Sequence, residues 1–159
     1  MSEPAPARDL RFLFRSDQGT IDQREWWRGV GILAATTIAF VAGWWLLSPY
    51  ANRGLDERQL IDAMTIVTYL YLMIYAFSVI LVAVCYVNLS IKRLRAVQAP
   101  TGLAGLLPFM VLVTGAAHWL QPRVSDTMPW AVVGFCDLAL VAVALWAVVE
   151  LGVRDSTAV

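Results

Sequence analysis

Four apolar stretches, at 29–48, 63–89, 103–120 and 129–151, constrain this chain more than any other feature. A helix needs about 20 consecutive apolar residues to cross the hydrocarbon of a bilayer, and each stretch is of that order. Hydrophobic residues make up 59% of the 159 positions and charged residues 15%. A soluble domain is about half apolar and a quarter charged, so the excess needs lipid as its solvent. The expected fold is all-α: a four-transmembrane-helix bundle, preceded by a short interfacial helix. Residues 1–28 read as a tail, that interfacial helix and the helix entry, 29–151 as the membrane domain and 152–159 as a C-terminal tail.

Charge sets the orientation. Nine basic residues fall in the N-terminal segment, the second loop and the C-terminal tail, against three in the first and third loops. By the positive-inside rule both termini are expected in the cytoplasm. Arg24, Arg28, Lys92, Arg93 and Arg95 form the expected basic cytoplasmic face, with anionic lipid headgroups as its contact. Trp26, Trp27, Trp44, Trp45, Trp119 and Trp130 stand where an aromatic belt would mark the water boundaries. The zero net charge gives no basis for a nucleic-acid partner. Cys85 and Cys136 are expected at different depths and so unpaired.

Ahead of the first span, Arg8 to Arg15 mixes arginines with Leu10, Phe12, Leu13 and Phe14, the pattern of an interfacial helix with snorkelling arginines. Thr20 to Gln23 has the form of a capping box, which would start the first long helix near Ile21.

Two segments resemble the family catalogued as domain of unknown function 805, small bacterial inner-membrane proteins with about four spans. The first is Gly19-Thr20-Ile21-Asp22-Gln23-Arg24-Glu25-Trp26-Trp27, similar to a family pattern Gly-Arg-Ile-x-Arg-x-Glu-Phe-Trp. The second is Lys92-Arg93-Leu94-Arg95 with Leu106-Leu107-Pro108 after it, where the family has Arg-Arg-Leu-His/Arg-Asp-x-Gly and then an apolar run with proline. The Asp-x-Gly and the tryptophans after it are absent here. The resemblance implies a bacterial inner-membrane location and no particular activity.

Inside the spans, Asp137 is the most informative residue, because a carboxylate near mid-bilayer costs at least about 2.5–3.5 kcal/mol. It is expected to face into the bundle, toward one or more of Thr114, Tyr71 and Thr68, which fall at a similar depth by helical rise, and His118, about one turn further out. That group reads either as packing through interhelical hydrogen bonds or as a proton or substrate path. Thr65, Thr68, Tyr71, Tyr75, Ser78 and Cys85 share one face of the second span, again either a packing seam or a water-lined path. Gly31, Ala35, Ala39 and Gly43, each four apart, form a small-residue stripe able to seat a neighbouring span or a second copy. Pro108 is expected to kink the third span, and Glu150 to meet Arg28 or Lys92.

No phosphate loop, paired-carboxylate site or nucleophile motif stands in the sequence, so no enzymatic activity, metal or cofactor is expected. The expected role is a membrane scaffold or accessory subunit, with a second copy or another membrane protein as partner. The alternative is a small transporter or proton-coupled channel built on Asp137.

Overall fold

The computed structural model describes residues 10–51, 62–125 and 127–154. The expected tail at 1–7, Arg8, most of the first loop, Asp126 and residues 155–159 lie outside them. The described chain is all-α. Helix α1 is Leu10–Arg15, α2 Gln23–Ala51, α3 Ala63–Ala96, α4 Leu106–Leu120 and α5 Trp130–Ala147. A 3-10 segment, Thr101–Gly105, leads into α4, and a π-helical segment, Val148–Val153, extends α5. Four of these rods are long and apolar enough to cross a membrane: Gln23–Ala51, Ala63–Ala96, Thr101–Arg123 and Trp130–Val153. The chain is therefore built as a multi-pass membrane protein, as its apolar stretches require.

Local chemistry explains the helix ends. The cap of α2 is Asp22, two residues beyond the expected Thr20. The Glu25 amide donates to the Asp22 carboxylate at 2.6 Å, and the Asp22 amide donates to the Glu25 carboxylate at 3.3 Å. This reciprocal pair is a capping box with aspartate in place of serine or threonine. Ile21 and Trp26, on either side of it, are both buried, at the positions of a hydrophobic staple. At the start of α3, Asp62 accepts from the Met64 amide and the Thr65 hydroxyl, each at 3.1 Å.

Helix α3 has 34 residues, about 51 Å at the helical rise, against roughly 30 Å of hydrocarbon. It runs seven residues past the expected end at Leu89 and takes in Lys92 to Ala96. It stops in a Schellman motif: the Ala99 amide donates to the Leu94 carbonyl and the Gln98 amide to that of Arg95, with Gln98 left-handed at φ 57°. Pro108 is the third residue of α4. First-turn amides have no intrahelical acceptor, so proline fits there, about one turn into the expected span, where the 3-10 segment gives way to α-helix. The fourth span runs to Val153, so Gly152 belongs to helix and not to a tail.

The chain divides into two compact units, residues 1–29 with 85–159, and residues 30–84. In the first, α4 packs along α5. The second comprises the remaining lengths of α2 and α3.

Candidate functional site

In the first unit, α4 and α5 bring His118 and Asp137 together, with Nε2 and Oδ1 3.0 Å apart. Asp137 is seven residues into α5 and His118 two residues from the end of α4. Asp137 thus meets one of its four expected neighbours. The side chains are 47% and 52% exposed, so the pair lies on the surface of this helix hairpin and not in its seam. The seam is held by Thr114, which is buried and donates to the Cys136 carbonyl at 3.2 Å. Near the hairpin's turn the Arg123 guanidinium stacks 4.0 Å from the Trp119 ring.

Tyr71 and Thr68 take other partners. The Tyr71 hydroxyl donates to the Phe40 carbonyl at 2.6 Å, and that of Thr68 to the Met64 carbonyl of its own helix at 2.7 Å. Ser78 likewise bonds back to Ile74. The hydroxyl face of α3 is thus spent largely on backbone carbonyls.

The small-residue stripe of α2 is used within the second unit at one point. A Cβ on Gly43 would lie 2.2 Å from the Tyr71 hydroxyl oxygen, whereas one on Gly31 meets nothing within 4 Å. Ala35 and Ala39 are exposed. Within the second unit the stripe serves at Gly43 as a notch for one tyrosine, and its other three residues stay exposed.

The basic face needs a larger correction. Arg24, Arg28 and Arg95 are exposed, but Lys92 and Arg93 are fully buried. The reason is the orphaned carbonyls of two helix C-termini. The last four carbonyls of a helix lack amide partners and carry its negative dipole end. The Lys92 ammonium donates to the carbonyls of Phe12 and Leu13 in α1 and sits 4.5 Å over the Phe12 ring. Asn88, one turn earlier, donates to the Phe14 carbonyl at 2.9 Å. Arg93 bonds the other terminus: Nε donates to the Leu151 carbonyl at 2.9 Å and Nη2 to that of Arg154.

From α2, the Trp27 indole donates to the Gly152 carbonyl at 2.9 Å, and the Gln23 amide nitrogen reaches the same oxygen. Arg95 closes the set by bonding the Asp17 backbone carbonyl. Trp26, expected at a membrane boundary, is buried and packs edge-on against Trp27. Gly152 makes this close approach feasible, since a Cβ there would lie 2.7 Å from Trp27. Glu150 pairs with Arg154, four residues on, and not with Arg28 or Lys92.

Sequence reasoning missed Asn88, Gln23, Trp27 and Gly152 as a working set. A lone asparagine in an apolar run was the one available signal. Gly152 gave none, because its role depends on residues far away in the chain. Both cysteines are free. Among the described residues, no three His, Cys, Asp or Glu side chains come together as a metal site would need. No family model matches the chain, and no curated protein or solved structure matches it either.

Proposed function

We propose that the chain is an interaction or scaffold subunit of the bacterial inner membrane, with both termini in the cytoplasm. The observation that carries this reading is the placement of its intramembrane polar pair. His118 and Asp137 meet on the outside of a helix hairpin, half exposed. A polar pair facing outward in a span needs a partner surface more than a water path. The buried cations Lys92 and Arg93 are consumed in tying helix ends together, which suits a rigid structural part. Exposed Arg24 and Arg28, four residues apart on α2, are placed to meet anionic lipid headgroups.

Gln98 bears on the family resemblance. It is left-handed, a conformation that favours glycine, and it stands where the family pattern has glycine.

A second reading, a small proton-coupled transporter, has one observation in its favour: the 3.0 Å contact between a histidine and a carboxylate. Purification in mild detergent and reconstitution into liposomes carrying a pH gradient separates the two. The scaffold reading expects complexes heavier than one chain by native mass spectrometry, and vesicles that hold their gradient. A proton leak that Asp137→Asn abolishes would overturn it in favour of transport.

A further inference from the structure

The partner of the His118–Asp137 face can be taken further, on the footing of the interaction reading above. A pair in apolar surroundings is cheapest with no net charge. A neutral histidine–carboxyl pair carries two protons. One lies in the hydrogen bond between Nε2 and Oδ1, wherever along that bond it resides. The other is on Nδ1. The pair therefore presents one outward donor, Nδ1–H, and one outward acceptor, Oδ2. Such a surface is complementary to itself under a two-fold rotation, the symmetry that makes residue i meet j while j meets i.

The backbone around the pair is open in the same direction. Gly115 lies three residues before His118 and Gly134 three before Asp137, so each shares its neighbour's helix face. A Cβ added to either glycine meets nothing within 4 Å. Both glycines are exposed, and exposed Val111 and Val141 carry the two faces onward. Small residues beside a polar group are what membrane helices use to bring backbones close.

We propose that the α4–α5 hairpin is the interface of a two-fold homodimer. In it Nδ1 of His118 in each copy donates to Oδ2 of Asp137 in the other, closing a ring of four hydrogen bonds, while Gly115 and Gly134 admit the facing backbone.

The full chain purified in micelles tests this by light scattering across a dilution series and by cysteine cross-linking. With Cys85→Ser and Cys136→Ser as background, Gly134→Cys is expected to give a disulfide-linked pair, and Phe77→Cys, on the second unit, to give none. Gly115→Leu and Gly134→Leu add bulk where the single chain has free space. They are expected to keep full helicity while weakening the dimer roughly tenfold or more. His118→Leu with Asp137→Leu, which removes donor and acceptor together, should also leave a folded monomer. A monomeric parent chain overturns the proposal, as does a dimer indifferent to both leucine variants. A monomeric parent that still forms heavier complexes with other membrane proteins sinks the homodimer and leaves the interaction reading standing.

Discussion

The two compact units hold their helices by different chemistry. Residues 30–84 use one tyrosine: Tyr71 fills the notch at Gly43 and bonds the Phe40 carbonyl, with Phe40 also near the rings of Tyr71 and Tyr75 at 6.3 and 6.2 Å. That carbonyl lies in the middle of α2, where helix amides already use it, so the tyrosine shares an occupied acceptor. The other unit places cations on carbonyls at the ends of α1 and of the π-helical segment, where a helix runs out of its own amide donors. Lipid supplies no hydrophobic drive between helices. Strength therefore depends on how hungry the acceptor is, and helix ends are the hungriest backbone groups a span possesses.

This contrast can be broken first at Arg93. Arg93→Met removes bonds to two carbonyls and should cost about 3 kcal/mol, because charged hydrogen bonds contribute roughly 1.5–3 kcal/mol each. Arg93→Lys should recover only part of this, since an ammonium lacks the planar fork that reaches both oxygens. Denaturation in mixed micelles measures both. A loss no larger than that from Tyr71→Phe would erase the difference between the units.

In residues 30–84, Gly43→Leu should cost about 2 kcal/mol by overpacking. Tyr71→Phe, which removes only the shared bond, should cost about 0.6 kcal/mol. An effect of similar size and opposite sign is expected at Gln98. Glycine relieves the left-handed strain there, and Gln98→Gly should stabilise the chain by about 0.5–1 kcal/mol, seen as a higher melting temperature. An unchanged or lower value would mean that the Gln98 side chain does more than tolerate its turn.

The number of spans and the all-α class were legible because they depend on local composition. The contact between Asp137 and His118 was legible in part, because depth along a helix follows from the rise per residue. Its outward direction ran against the expectation that a carboxylate in a span faces the bundle, since depth along a helix does not fix an azimuth. Lys92 and Arg93 misled for a physical reason. A basic cluster at the end of an apolar run is the signature of a topology signal, and nothing nearby in sequence shows that the carbonyls of α1 and of the π-helical segment arrive there to bury it. The capping box slipped by two residues because Asp22 and Glu25 satisfy the same chemistry as Thr20 and Gln23.

The carbonyl bonds also impose an order in time. A chain made from its N-terminus produces α1 and the donors Gln23 and Trp27 early, yet Lys92 reaches the Phe12 carbonyl across 80 residues and Gln23 reaches that of Gly152 across 129. Helix α1 must wait for the end of α3, and Gln23 and Trp27 for the last turns of the fourth span. Arg93 likewise has no Leu151 carbonyl to bond until the fourth span is complete. Any stretch of synthesis that stalls before α5 therefore leaves α1 latched to α3 but Gln23, Trp27 and Arg93 without their carbonyl acceptors.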